Sequence, residues 1–309
     1  MLTLPVHFFA LILVVHLVIP LYGAVFTTAA TGCLVFFIGN QRHRLTHISR
    51  WSNPVYCGAF AAGLFHTILC FCCKLLPVIW PVNTYIHLVI DLPLLIMVLY
   101  LYLVLLLRDP GKCMNSRAGP SLQEPFLNIR HVALGEVPYE EFCGPCEIVI
   151  PERARHCKLC EQCMLNMDHH CLFLLRCIAK DNHRHFVVLI FLTLLSQVLF
   201  VLYSIEYLAL LYPNHALWVI GSAVLHEHGW LWAMWMLNVP SIIWGVSLIY
   251  MQLRLTANGI TMVWHPKVTK MKNLSKVRLS WLGKLKNLRN FFAGRRTMTA
   301  FELDELEKV

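Results

Sequence analysis

The chain has 309 residues, of which 58% are hydrophobic and only 14% are charged. This composition excludes an ordinary soluble globular protein, in which about a quarter of the residues are charged, and it indicates an integral membrane protein. The formal net charge is +9, and Lys and Arg gather in three stretches, residues 42–50, 108–184 and 254–296. Because Lys and Arg near span ends favour the cytoplasmic side, we expect all three stretches to face the cytoplasm.

The first 39 residues contain no Asp, Glu, Lys or Arg. A membrane-crossing helix needs about 20 mostly apolar residues, so this segment is too long for one untilted crossing and barely long enough for two. We predict one long tilted span with a luminal amino terminus, which gives five crossings in total. Two short spans, which give six crossings, are the alternative.

Four later segments have the length and composition of membrane spans: residues 57–79, 85–107, 186–212 and 231–253. The sequence thus predicts an all-α polytopic membrane protein with about five transmembrane helices, within a range of four to six. It also predicts a short luminal loop near residues 213–230. Asp91 lies within one span, and its position near the luminal end predicts interfacial solvation. We expect no internal repeat.

The apolar and basic segments divide the chain into four predicted parts. These are an N-terminal transmembrane region (1–107), a small cytoplasmic cysteine-rich domain (108–185), a C-terminal transmembrane pair (186–254) and a cytoplasmic basic amphipathic tail (255–309). In the tail, residues 265–296 hold ten Lys or Arg residues and no acidic residue, and Trp281, Leu285, Leu288 and Phe292 recur at helical spacing. This pattern predicts an interfacial amphipathic helix, with a solvated basic tail as the alternative.

Seven of the 13 cysteines lie between Cys143 and Cys177, in the pattern Cys-x2-Cys-x9-His-Cys-x2-Cys-x2-Cys-x4-Asp-His-His-Cys-x5-Cys. This spacing favours metal binding over disulfides. Structural zinc takes four Cys or His ligands, so six cysteines and two histidines fit two zinc ions and leave one cysteine over. A nucleic-acid-binding zinc finger is disfavoured because membrane spans hold the segment at both ends. We therefore expect no nucleic-acid partner.

Alternation along an extended segment predicts which cysteine is left over. Side chains two residues apart face the same way, so His169 and Cys171 share one face and His170 faces the other. We expect His170 to bind zinc and His169 to lie beside a free Cys171, which is the arrangement of an activated cysteine nucleophile. Asp168 can orient His169, but simple alternation aims Asp168 away, so this contact requires a bend.

The tetrad Asp168-His169-His170-Cys171, within a cysteine-rich segment flanked by spans, resembles the DHHC protein S-acyltransferases, or palmitoyltransferases. The resemblance covers approximately residues 85–294. The other matching residues are Asp109-Pro110-Gly111, Arg155-His156-Cys157, Cys177, Asn182, Phe186 and the Asn and Phe-Gly element between Lys286 and Gly294.

The resemblance implies ligands and catalytic roles. One Zn²⁺ would be bound by Cys143, Cys146, His156 and Cys163, and the second by Cys157, Cys160, His170 and Cys177. The implied catalytic residues are Cys171, which accepts a long-chain acyl group such as palmitoyl from acyl-CoA, His169, which acts as base, and Asp168, which holds His169. A cysteine of a membrane or membrane-associated substrate protein would then attack the acyl-enzyme.

The implied partners are acyl-CoA, such substrate proteins and membrane lipid. The implied location is an ER or Golgi endomembrane, with the catalytic domain facing the cytoplasm. Six basic residues are candidates to contact CoA phosphates, with anionic lipid headgroups as the alternative: Arg153, Arg155, Lys158, Arg176, Lys180 and Arg184.

Two short elements depart from the family pattern. Leu172-Phe173 replaces Pro-Trp, and the segment from Thr256 to Gly259 replaces Thr-Thr-x-Glu. The missing Glu predicts fewer polar contacts between the end of the last span and the catalytic domain. A catalytically weak or inactive zinc-stabilised membrane scaffold or chaperone is therefore the alternative function. A transporter or channel is disfavoured because the polar residues concentrate in the cytoplasmic domain.

Overall fold

The structure is a computed structural model that describes residues 60, 63–113, 130–136, 138, 141–263 and 279–298. It contains, among other elements, six helices: α1 (Gly63–Val82), α2 (Thr84–Leu107), α3 (His183–Leu211), α4 (Leu217–His226), α5 (Gly229–Ala257) and α6 (Trp281–Phe292). Within the described residues, α1, α2, α3 and α5 are long and apolar enough to cross a membrane. These four predicted spans are confirmed, and the predicted N-terminal span lies outside the described residues.

The segment between the last two spans is more ordered than predicted. A loop was expected near residues 213–230, but ten of these residues form the apolar helix α4. In the tail, α6 begins after Ser280, whose hydroxyl accepts a hydrogen bond from the Gly283 amide at 3.2 Å. Trp281 and Phe292 on α6 are exposed while Asn287 is buried, so the polar Asn287 is the side chain that packs inward.

Contacts divide the chain into two compact units, Met1–Tyr100 with Ile190–Ser247 and Leu101–Leu189 with Leu248–Val309. In the first unit, aliphatic and aromatic side chains of four helices form a core. Its fully buried members include Leu75, Ile79 and Leu231. This is the packing expected of spans whose association depends on close van der Waals contact.

Asp91 in the first unit is hydrogen-bonded to protein groups, and its interfacial solvation stays a prediction. Its Oδ2 lies 2.6 Å from Nδ1 of His87, one helical turn earlier on α2. Its Oδ1 accepts a hydrogen bond from the Tyr203 hydroxyl on α3 at 3.0 Å. His87 itself is buried and stacks on Trp80. An acidic side chain within a span is thus satisfied by two neighbours.

The second unit contains three antiparallel hairpins of very short strands. They pair β1 (Phe142–Cys143) with β2 (Ile148–Val149), β3 (Arg155–Cys157) with β4 (Gln162–Met164), and β5 (His169–Cys171) with β6 (Arg176–Ile178). Isolated two-stranded hairpins are marginally stable in water, so these hairpins require stabilisation from other groups.

The segment that follows α2 is fastened to the hairpins by backbone hydrogen bonds. Asp109 Oδ1 accepts from the amides of Gly111 and Lys112, which fixes the turn. The Gly111 carbonyl then accepts from the Leu165 amide at 2.9 Å. Gly111 has φ +104°, and a Cβ there would approach Asp181 Oδ2 to 3.0 Å. Glycine is therefore required at this turn.

Asn182 fixes the connection between β6 and α3. Its side-chain Oδ1 accepts from the Ala179 amide at 2.8 Å, and its Nδ2 donates to the Cys177 carbonyl at 2.9 Å. The residue is fully buried. These two bonds hold the last hairpin at the start of α3.

Candidate active site and metal centres

The eight predicted metal ligands form two clusters, each with three thiols and one imidazole. The cluster 1 residues are Cys143, Cys146, His156 and Cys163, and the cluster 2 residues are Cys157, Cys160, His170 and Cys177. Within each cluster the ligand atoms lie within 4.8 Å of one another. Each cluster could hold a metal ion.

Both histidines present Nδ1 to their thiols. Nδ1 of His156 lies 3.2 Å from Sγ of Cys146, and Nδ1 of His170 lies 3.3 Å from Sγ of Cys160. Sγ of Cys160 and Sγ of Cys177 are 3.5 Å apart, well beyond a disulfide bond length of about 2 Å. None of the cysteines in these clusters is in a disulfide.

Hairpin register places the ligands. His156 lies opposite Cys163 in the β3–β4 hairpin, and His170 lies opposite Cys177 in the β5–β6 hairpin. Directly opposed residues bring their Cβ atoms to about 5 Å, so each pair contributes two ligands to one cluster. The two-residue spacing in Cys-x2-Cys supplies the other two.

Cys171 belongs to neither cluster. It is the last residue of β5, opposite Arg176, and its side chain is buried, with 5% of its surface exposed. On this strand His169 and Cys171 share a face, and His170, between them, directs its ring to cluster 2. The thiol of Cys171 thus lies beside an imidazole that no cluster contains.

Asp168 lies just before β5, so strand alternation does not govern its direction. Its backbone amide donates to the Ile178 carbonyl, while its Oδ2 lies 2.8 Å from Nδ1 of His169. The carboxylate is fully buried, and Oδ1 accepts the Met262 amide at 2.8 Å. The bend that the sequence required is supplied by the irregular residues before the strand.

Nearby charges and hydrogen bonds shift the pKa values of both Asp168 and His169. Burial by itself raises the pKa of Asp168, but the hydrogen bond from His169 and the charge of His183 outweigh it and lower the pKa to about 2. Burial by itself lowers the pKa of His169, but hydrogen bonds with Asp168 and Cys171 raise it to about 9. At neutral pH the pair is a carboxylate and an imidazolium, and an adjacent imidazolium favours a cysteine thiolate.

Three groups around Asp168 were not among the predicted site residues: Gln252, His183 and the Met262 amide. Gln252 on α5 donates through Nε2 to Asp168 Oδ2 at 2.9 Å, and its Oε1 lies 2.8 Å from His183 Nε2. The available sequence signal was an amide side chain near the end of a mostly apolar span. The ring of Phe186, which was predicted from the resemblance, packs edge-on against His169.

The two departures from the family pattern occupy defined places. Leu172 and Phe173 lie in the turn between β5 and β6. At the end of α5, Thr256 is buried and the Ala257 carbonyl accepts from Nδ2 of Asn287 on α6 at 3.0 Å. Polar contact between the last span and Asp168 is present, although it comes from Gln252, one turn before the predicted element.

Part of the predicted basic set lines a polar cavity of about 370 Å³ in the second unit. Arg153, Lys180 and Arg184 are in its wall, together with Arg108, Arg295 and Arg296. Arg176 instead donates to the Leu106 carbonyl, and Arg155 and Lys158 are exposed. The predicted basic residues therefore do not form one group.

Residues 136–271 match the family described as DHHC palmitoyltransferase. The chain is 32% identical over 117 residues to palmitoyltransferase AKR1 of Mortierella alpina, covering 38% of this chain and 21% of that protein. It is 26% identical over 170 residues to probable protein S-acyltransferase 14 of Arabidopsis thaliana, covering 54% and 52% of the two chains. It thus spans about half or less of the length of these relatives.

Proposed function

We propose that this protein is a protein S-acyltransferase with its acyl-enzyme on Cys171, because residues 136–271 match the family described as DHHC palmitoyltransferase. The observation that carries the proposal is the separation of seven neighbouring cysteines into six that cluster with histidines and one that does not. The remaining cysteine, Cys171, lies on the same face of β5 as His169, whose imidazole is hydrogen-bonded to Asp168.

The reaction needs two thioester exchanges. The Cys171 thiolate attacks the carbonyl carbon of palmitoyl-CoA, the new carbon–sulfur bond forms, and the bond to CoA breaks. The departing CoA thiolate takes the proton held by His169. A substrate cysteine then gives its proton to His169 and attacks the acyl-enzyme, which releases Cys171. Each exchange converts one thioester to another, so no further energy source is required.

Zinc fits both clusters. With Zn–S bonds of about 2.3 Å and Zn–N bonds of about 2.0 Å, tetrahedral geometry separates the ligand atoms by about 3.5 to 3.8 Å. The sulfur–nitrogen separations here run from 3.2 Å for Cys146 to 3.9 Å for Cys163. We propose that two Zn²⁺ ions hold the three short hairpins together and so fix the strand that carries Cys171. The metal has a structural role and leaves the acyl-transfer steps to Cys171, His169 and Asp168.

The basic wall of the polar cavity supports binding of the CoA phosphates. Lys180 lies between β6 and α3, and Arg184 lies in the first turn of α3. Charge-assisted hydrogen bonds from such groups to phosphate are among the strongest in proteins. We place the palmitoyl chain among the apolar spans, where each buried methylene contributes about 0.8 kcal/mol. The substrates we propose are cysteine-bearing proteins at a membrane surface.

Membrane placement completes the proposal. The four apolar helices are consistent with an integral protein. The excess of Lys and Arg in the cysteine-rich and tail segments favours a cytoplasmic active site. An ER or Golgi membrane is the location that the family resemblance favours.

The decisive experiment is labelling of purified protein with a fluorescent or radioactive palmitoyl-CoA. We expect hydroxylamine-sensitive label on the wild type and none on Cys171→Ser, because only a thioester is cleaved by neutral hydroxylamine. His169→Ala should be labelled much more slowly. Absence of label on a folded wild-type protein that retains two zinc ions per chain would contradict the enzyme and support the membrane scaffold.

A further inference from the structure

Gln252 lies between the catalytic carboxylate and the start of α3. Its side chain is fully buried, and both of its polar atoms are used. Nε2 donates to Asp168 Oδ2 at 2.9 Å, and Oε1 lies 2.8 Å from His183 Nε2. Asp168 and Gln252 are 84 residues apart in the chain. The amide therefore makes a long-range connection to the tetrad.

The chemistry of the neighbours determines the direction of each hydrogen bond. An ionised carboxylate only accepts, so the NH₂ group of Gln252 must face Asp168. Its carbonyl oxygen then faces His183, which must carry its proton on Nε2 and donate. His183 therefore donates a hydrogen bond to Gln252, and Gln252 donates one to Asp168.

Gln252 also restricts the rotation of the Asp168 carboxylate. Oδ2 accepts hydrogen bonds from Gln252 and His169, while Oδ1 accepts one from the Met262 amide. A buried carboxylate without its donors is unfavourable, and it can rotate toward whichever donor remains. With three donors in place the carboxylate has one orientation, and Nδ1 of His169 is held against it. Nε2 of His169 is then left for Cys171.

We infer that Gln252 is a positioning residue for acyl transfer: it fixes Asp168 so that His169 presents Nε2 to the Cys171 thiol. The inference rests on the proposed function for its catalytic meaning. Its physical content, the alignment of His169 with Cys171, is independent of any acyl donor. Through Gln252, the end of α5 takes part in the site. Thr256 and Gly259 do not supply this contact.

The test replaces Gln252 with Met, which keeps the length and removes both polar groups. Positioned acid–base groups contribute about 10²- to 10⁴-fold, and partial misalignment forfeits part of this. We expect the maximal rate of Cys171 acylation by palmitoyl-CoA to fall about 10- to 100-fold, with the half-saturating concentration unchanged within about twofold. Zinc content should stay at two ions per chain. Ser247→Ala, on the same helix, is the control and should behave as wild type, because among the described residues the Ser247 hydroxyl donates to the Ile243 carbonyl.

A second readout does not depend on acyl transfer. Alkylation of Cys171 by iodoacetamide, followed by mass spectrometry in the absence of CoA, reports the reactive thiolate. Gln252→Met should slow this alkylation. In a His169→Ala background it should slow it no further, because the amide acts through that imidazole.

Wild-type rates of acylation and alkylation in a zinc-replete Gln252→Met protein would overturn the inference, as would an additional loss in the His169→Ala background. If Gln252→Met loses zinc, Gln252→Asn, which keeps the amide but withdraws it from Asp168, is measured in the same way, with the same outcomes deciding. If palmitoyl-CoA leaves the wild type unlabelled, the proposed function fails, and the alkylation rates alone decide the role of Gln252.

Discussion

The β3–β4 and β5–β6 hairpins have the same register but use their cysteines differently. In the first, His156 pairs with Cys163 and the strand ends with Cys157; in the second, His170 pairs with Cys177 and the strand ends with Cys171. Cys157 belongs to a cluster, and Cys171 does not.

The two hairpins differ in the residue three positions after the cysteine that ends the first strand. Cys157 is followed at that distance by Cys160, which completes a Cys-x2-Cys pair, while the matching position after Cys171 is Leu174, a buried leucine. The pattern repeats in 14-residue steps from Cys143 to Cys157 to Cys171. In the third step the second thiol is missing. A metal-binding pattern that stops one ligand short thus leaves a thiol available for chemistry.

The largest expected effect comes from changing the two matching cysteines. Cys157→Ser should lose the metal of its cluster and destabilise the protein by about 4 kcal/mol or more, the range typical of a lost metal site. Cys171→Ser should keep two zinc ions and the wild-type melting temperature while acylation disappears. Metal analysis, thermal unfolding and palmitoyl-CoA labelling separate the two outcomes. Loss of zinc from Cys171→Ser would show that the hairpins do not differ as described.

The next largest effect is expected two positions before the matching cysteines, at His169 on β5 and Arg155 on β3. His169→Ala should slow acylation by about 10²- to 10⁴-fold, because the base beside Cys171 is lost. Arg155, the matching residue of β3, is exposed. Arg155→Ala should change the rate by no more than about twofold, as is usual for surface positions. Comparable losses in both variants would mean that His169 acts through hairpin stability instead of through Cys171.

The smallest effect comes from completing the interrupted pattern. Leu174→Cys would supply the second thiol of a Cys-x2-Cys pair, able to compete for Cys171 by binding a metal with it. We expect iodoacetamide alkylation of Cys171 to be about three- to tenfold slower than in the size-matched control Leu174→Ser. Equal rates in the two variants would show that position 174 does not determine the availability of Cys171.

Local patterns predicted much of this fold and site. Apolar runs identified four spans because span length follows from membrane thickness. The opposite directions of His169 and His170 followed from strand alternation. The expected absence of internal repeats is wrong, since cysteines recur in 14-residue steps; the repeat is inconspicuous because only some of its ligand positions recur. The helix α4 was predicted as a loop, since the segment is shorter than a span and lies between two turns.

Other features depend on tertiary contacts that no local pattern contains. Asp168 precedes its strand, so its contact with His169 depends on the irregular backbone before β5. The contact from Gln252 joins residues that only folding brings together. The inward packing of Asn287 likewise depends on the Ala257 carbonyl, which lies on a different helix.

The hydrogen bonds of Asp91 with His87 and Tyr203 have a consequence for membrane insertion. Tyr203 is synthesised 112 residues after Asp91, when α2 has already left the ribosome. An isolated carboxylate is costly in the bilayer core. His87 lies on the same helix, so Asp91 gains a partner as soon as α2 coils. The helix α2 can therefore enter the bilayer with Asp91 already hydrogen-bonded to His87, and Tyr203 later adds a second partner.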